Sequence, residues 1–331
     1  MKLLVAMVLA LTGFSAAMLV TPYRGFNTET YVDIPHGIGT AGIARELARD
    51  GVIRYEWELW LAHLLKPSAK LQAGEYRFAA PASALDVFNR IARGDIYYFV
   101  FTVPEGSNIF DIGRSLEEQG VMSSGDFLKA AEDPASIRDL VPTAKTLEGY
   151  LFPSTYRLTH STTGMQLSKM MTDEFRKEWA KLSAGKNADV RGTVTLASLV
   201  EKETAAADER PLVASVFRNR LAQGMLLQCD PTTIYASLLE HHYRGEIHKS
   251  DLASTNPYNT YENPGLPPGP IANPGARALA AALDPADTPF LYFVAKPAGG
   301  GHKFSATMAQ HEKAVIAYRQ ASKHAGQGKV R

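Results

Sequence analysis

Leu3 through Val20 carries no charged side chain, and only Thr12, Gly13 and Ser15 break its apolar character. No other feature limits the fold as strongly. A segment without a polar face does not suit the surface helix of a soluble domain. As a helix it spans about 27 Å, close to the ~30 Å hydrocarbon core of a bilayer. Lys2 precedes it, and Tyr23-Arg24 follows. Two readings stay open. One is an uncleaved anchor over residues 1–21 with its N-terminus in the cytoplasm. The other is a cleaved signal peptide, for which Ser15-Ala16-Ala17 is a tolerable small-residue site. The apolar run continues through Met18-Leu19-Val20 past that site, which favours the anchor. Both readings export everything after residue 22. No second run of comparable length follows, so a channel or transporter is excluded.

The rest of the chain opens with a duplication. Ile34-Pro35-His36-Gly37 leads into a helical pattern from Thr40 to Asp50, stopped by Gly51-Val52. Val103-Pro104-Glu105-Gly106 leads into another, stopped by Gly120-Val121. At this one offset Pro35/Pro104, Gly37/Gly106, Ile43/Ile112, Leu47/Leu116 and Gly51/Gly120 coincide. Apolar residues four apart mark a helix, and the glycines mark its end. Each copy continues to a strand ending Tyr76-Arg77-Phe78 or Tyr156-Arg157-Leu158. The spacing predicts two β-α-α-β modules, with further helices over 83–93 and 166–181. The strand–Pro-x-Gly–helix opening resembles LysM, a small module that binds N-acetylglucosamine polymers. A purely structural β-α-α-β unit is the alternative.

The second half holds the candidate chemistry. Thr193–Ala207 reads as a helix rich in Ala and Leu that carries Glu201 and Glu203. At about 100° per residue, Glu203 shares a face with Leu196, Leu199 and Val200, and Glu201 shares one with Val194 and Ala197. Periodicity does not choose between the two carboxylates, and a solvated Glu-Lys-Glu face is the plainer alternative. The tract from Asn256 to Gly275 is rich in Pro and Gly and poor in regular structure. Long loops of this kind inside a compact domain are usually functional. Its Asn, Thr and Tyr side chains suit sugar hydroxyls. A strand over 290–295 and a last helix near 308–321 complete the pattern.

Other chemistries fall away. Thirty-five Lys+Arg against 34 Asp+Glu leave a net charge of +1, so no global field recruits nucleic acid. The single cysteine, Cys229, rules out an intrachain disulfide framework or a cysteine zinc cluster. Phosphate-loop, dinucleotide, zincin and nucleophile-elbow motifs are all absent. His241, His242 and His248 lack ligand-like carboxylate spacing, and neither metal nor cofactor is expected.

Four motifs in order then make the chain recognisable. Leu147-Glu148-Gly149-Tyr150-Leu151-Phe152-Pro153 comes first, and Ala197-Ser198-Leu199-Val200-Glu201-Lys202-Glu203-Thr204 second. Leu227-Gln228-Cys229-Asp230-Pro231-Thr232 and Tyr258-Asn259-Thr260-Tyr261 with Gly265-Leu266-Pro267-Pro268-Gly269 follow. Together they closely resemble the endolytic murein transglycosylase (YceG-like) family over nearly the whole chain. The family has Thr where Cys229 stands, which leaves the role of Cys229 open. The resemblance implies an inner-membrane, single-pass protein with a periplasmic catalytic domain. It would cut the MurNAc–GlcNAc β-1,4 bonds of glycan strands internally, leave 1,6-anhydroMurNAc ends and so terminate strand elongation. It places the catalytic glutamate at Glu201, where burial against Val194 and Ala197 would raise the carboxyl's pKa. Gln228, Tyr258, Asn259 and Thr260 would position the sugar, with Glu148 and His302 as wall residues. Glycan strands are the expected partner, with peptidoglycan synthases (penicillin-binding proteins) as further candidates.

The expected fold class is therefore α+β: an N-terminal membrane helix over 1–21, a LysM-like β-α-α-β module over 30–98, and a mixed α/β catalytic domain over 99–325. Two rivals stay open. A hydrolytic muramidase would need a second carboxylate such as Asp230 or Glu262. A non-catalytic scaffold would bind peptidoglycan and recruit synthases.

Overall fold

The computed structural model describes residues 1–296 and 300–327. Residues 1–100 with 157–162 form one compact unit, and the remaining residues form a second.

In the first unit, α1 (Lys2–Val20) is exposed along nearly all of its length, and Leu19 alone enters the core. β1 (Thr30–Ile34) turns into α2 (Thr40–Arg49), and α3 (Glu56–Leu65) leads to β2 (Gly74–Phe78). The two strands pair antiparallel, from Thr30 opposite Phe78 to Ile34 opposite Gly74. The four-residue spacing in α2 buries Ile43 and Leu47 together against Val32, Ile34 and Tyr76. Each such side chain contributes roughly 1.5–3 kcal/mol of apolar burial. α4 (Ala84–Arg93) closes the unit. Ser83 caps it by accepting from the Asp86 backbone N–H at 3.1 Å, and Gly94 ends it in the left-handed conformation.

The same order recurs in β3 (Phe99–Thr102), α5 (Ile109–Glu118), α6 (Ser124–Ala131) and β4 (Thr155–Leu158), with β3 beside β4. The expected duplication is thus a structural one. Its glycines explain why it is visible in sequence. Gly37 and Gly106 sit at φ +86° and +77°, and Gly51 and Gly120 at +70° and +67°. A Cβ resists that conformation, so both copies need glycine before and after the helix.

The second unit continues through α7 (Gly164–Leu182), α8 (Val190–Glu203), α9 (Arg210–Ala222), α10 (Asp230–Leu239), α11 (Lys249–Leu252) and α12 (Ala276–Leu283). A hairpin of β5 (Tyr292–Ala295) and β6 (His302–Ser305) and the helix α13 (Met308–Gln327) complete it. α8 is central. It packs against α9, α10 and α12, and every residue from Val194 to Val200 is buried. A helix covered on all sides has no periodic signal separating its faces, which is why the pattern alone left Glu201 and Glu203 equivalent. The helix also stops sooner than the expected Ala207. Thr204 leaves it in extended conformation (φ −145°, ψ 131°), and the Thr204 hydroxyl accepts from the Ala206 N–H at 3.1 Å. Both glutamates therefore lie in the last turn.

Candidate active site

The two carboxylates of the Glu-Lys-Glu triplet have different surroundings. Glu201 is 4% exposed at its side chain, and both of its oxygens are committed. Arg210, itself nearly buried, donates from Nη2 to Oε1 at 2.8 Å. The Gly275 backbone N–H, at the start of α12, donates to Oε2 at 2.9 Å. The expected apolar setting against Val194 and Ala197 is thus replaced by an ion pair and a helix N-terminus. Each oxygen thus accepts one hydrogen bond from the protein itself. Across the loop, Glu105 approaches the same guanidinium at 3.7 Å.

Glu203 points the other way, into a cavity of about 260 Å³. Arg220, Leu227, Gln228, Asp230, Tyr261, Phe293 and His311 line it with Glu203. Burial pushes the Glu203 carboxyl up from the usual carboxylate range and the Asp230 charge adds to the shift, while a hydrogen bond from the Cys229 thiol opposes it. Cys229 is itself fully buried, and burial raises its thiol well above normal. Its role is to underlie Glu203, and a buried thiol held protonated is no nucleophile.

The other expected site residues divide into two groups. Gln228 lines the cavity and adopts a left-handed φ of +50°, a conformation uncommon outside glycine. Thr260 holds it there: the Thr260 carbonyl accepts from the Gln228 N–H at 3.1 Å, and its hydroxyl accepts from the Cys229 N–H at 3.0 Å. Thr260 is 1% exposed, so it shapes the backbone and does not line the cavity. Asn259 is fully buried and ties the loop to itself, donating to the Ser254 and Leu252 carbonyls at 2.7 and 3.0 Å. Tyr258 packs against Tyr235 with ring centroids 5.1 Å apart, away from the cavity lining. His302 is held by Glu209, whose carboxylate contacts the ring Nδ1 at 2.7 Å and accepts from the backbone N–H at 2.6 Å. Its ring packs edge-on against Phe293, in the cavity wall.

The sequence reading passed over Arg220, Tyr261 and His311 as lining residues. Arg220 is positioned by donating to the Leu291 carbonyl at 2.7 Å and the Leu227 carbonyl at 2.8 Å. Asp230, one of the two carboxylates named for a muramidase, opens α10, lines the cavity and accepts a hydrogen bond from the Tyr261 hydroxyl. Glu262 is exposed and is not among the lining residues. Only Tyr261 lay within a motif that could have signalled it.

Glu148 belongs to a second, buried polar cluster. It is 2% exposed, accepts from the Ile109 N–H at 3.0 Å, and accepts from Asn273 Nδ2 at 3.0 Å. Asn273, fully buried, also receives the Gly149 and Leu151 N–H groups at 2.8 and 2.9 Å. Gly149 is at φ +87°, and a Cβ there would sit 2.4 Å from Pro270, so only glycine fits. Burial raises the Glu148 carboxyl to about 8. The folded state then keeps a proton that the unfolded chain releases near 4.5. Stability from this site should be complete below about pH 4.5 and decline as pH rises towards 8. Urea midpoints compared near pH 5 and near pH 8 should differ in that direction, and Glu148→Gln should flatten the difference.

On this mixed helix-and-sheet domain, Glu203, its carboxyl raised by burial, thus lines a cavity with a second carboxylate, Asp230, an amide, a phenol and a guanidinium. The chain belongs to the YceG-like family, whose model matches residues 32–317. It is 31% identical over 324 residues to the endolytic murein transglycosylase of Bacillus subtilis, covering 92% of this chain and 89% of that protein. The endolytic murein transglycosylase of Streptococcus pneumoniae is 29% identical, covering 87% of this chain and 58% of that longer protein. A crystal structure of a yceG-like protein from Listeria monocytogenes superposes with a TM-score of 0.58 at 30% identity, covering 86% of this chain and 98% of that one.

Proposed function

We propose that this protein is a lytic transglycosylase of peptidoglycan, a lyase, and that Glu203 is its acid and then its base. The observation that carries this reading is the Glu203 carboxyl, desolvated yet facing the cavity that Gln228, Asp230 and Tyr261 line. The relatives named endolytic murein transglycosylase supply the substrate class. Glu203 gives its proton to the glycosidic oxygen as the bond to C1 of the muramic sugar breaks. The resulting carboxylate takes the proton of that sugar's O6 hydroxyl as O6 closes on C1, giving a 1,6-anhydro end. A carboxyl with raised proton affinity suits both steps. Tethering of O6 to the reacting ring lowers the entropic cost of its attack. Gln228 and Tyr261 orient the sugar. Glu201, bound to Arg210 and the start of α12, instead holds the last turn of α8 in place.

One observation favours a second reading. Asp230 shares the cavity with Glu203, so a muramidase with two carboxylates is the rival. Digests of intact glycan strands by the full chain distinguish them. Anhydro products are lighter than hydrolysis products by one water and resist borohydride. Borohydride-reducible muramic ends as the main product would establish the hydrolase. The rate should also fall as pH rises through the elevated Glu203 pKa, because the acid form is then lost.

The wider reading follows from the same assignment. α1 is the one described helix long and apolar enough to cross a membrane, and we assign it as a single-pass anchor with the enzyme outside the cytoplasm. The β-α-α-β module of the first unit is proposed to bind glycan as LysM does. Cleavage beside the membrane would end nascent strands where synthases make them.

A further inference from the structure

α3 is apolar on two opposite faces, and only one of them is covered. Leu59 and Ala62 are buried in the first unit, and Glu58 turns inward to accept from the Arg54 and Tyr55 N–H groups. On the other side Trp57, Trp60 and Leu64 follow helical spacing, at 38%, 53% and 73% exposure, and Leu65 beside them is 61% exposed. A soluble helix rarely presents two tryptophans and two leucines to water on one short stretch.

The position of α1 says what meets this face. Both helices belong to the same unit, and the end of α1 packs directly on α3 and α4. Leu19 is 4% exposed in the core, Met18 Sδ accepts from Arg54 Nη1 at 3.4 Å, and Tyr23 bridges backbone to backbone with Ala82. No spacer separates the apolar helix from the unit. At 19 residues α1 is about 28 Å long, so crossing a ~30 Å core uses all of it. Its last turn then lies at the membrane surface, and so does the helix packed on that turn.

We infer that α3 is a second membrane contact: its outer face, built on Trp57, Trp60 and Leu64, lies in the headgroup region of the bilayer that α1 spans. Tryptophan favours this depth because its ring is amphipathic, and leucine buries against the upper acyl chains. Arg54 and Lys66, exposed at the two ends of the helix, match anionic headgroups, with Glu56 the one exposed acid on the helix. The first unit is thereby clamped flat on the membrane at two points and cannot swing freely about α1. This inference rests on the assignment of α1 as an anchor.

The full chain reconstituted in phosphatidylcholine–phosphatidylglycerol vesicles tests both separately. Flotation with the vesicles after alkaline carbonate washing reads α1 alone. Tryptophan quenching by lipids brominated just below the headgroup reads α3, since the only other tryptophan is Trp179, buried in the second unit. The parent protein should lose a clear share of its emission, since Trp57 and Trp60 sit at the headgroup depth. A variant carrying Trp57→Phe and Trp60→Phe, which retains Trp179, should lose almost none. Flotation without quenching, whether the face is bare or covered by a second copy, overturns the inference and leaves the anchor standing. Equal quenching in parent and variant overturns it too. Failure to float overturns the anchor and the inference together.

Discussion

Glu203→Gln is expected to lower the rate of glycan cleavage by roughly a hundred- to ten-thousand-fold, the contribution usual for a positioned acid–base group. Gln keeps the shape and the hydrogen bond from Cys229, but it can neither give a proton to the glycosidic oxygen nor take one from O6. Because the carboxyl is desolvated, making it neutral should not weaken the fold. The variant's urea midpoint should therefore match or exceed the parent's. Initial rates on purified glycan strands, with the midpoint measured on the same sample, provide the check. A variant that cleaves at the parent's rate would remove Glu203 from the mechanism.

Glu201→Gln should instead lose stability. Arg210 is almost buried, its Nε has no hydrogen-bond partner among the described residues, and Glu201 supplies its close counter-charge. Taking one member from a buried pair leaves the other charge uncompensated, which costs about 3–5 kcal/mol. For a protein of this size each kcal/mol moves the thermal midpoint by roughly 2–4 °C. The protein that remains folded at low temperature should still cleave. An unchanged midpoint with cleavage abolished would return the acid's role to Glu201, where the sequence resemblance places it.

The sequence made the elements legible where local physics sets them. The duplicated helices could be read because Ile43/Leu47 and Ile112/Leu116 repeat at helical spacing and because Gly37, Gly51, Gly106 and Gly120 all adopt positive φ. The motif around Glu148 was visible, yet its function as a buried hub with Asn273 was not, since the two lie 125 residues apart. Thr260 and Asn259 were read as sugar contacts from their chemistry. Their hydrogen bonds are spent instead on the backbone of residues 228–229 and 252–254.

By itself the sequence determined the apolar N-terminal helix, the mixed helix-and-sheet class, the repeat and the short segment that carries the candidate acid. These depend on side-chain periodicity, turn chemistry and motif order, all of which are properties of neighbours along the chain. Which glutamate faces the cavity was decided only by tertiary structure. Glu201 and Glu203 are two residues apart in the last turn of a helix whose middle, Val194 to Val200, is buried all round, and nothing local separates them. The difference comes from Arg210 and Gly275 closing over one carboxylate while Gln228, Asp230 and Tyr261 leave space beside the other. Desolvation and ion pairing are set by what packs against a group, and those partners arrive from distant parts of the chain.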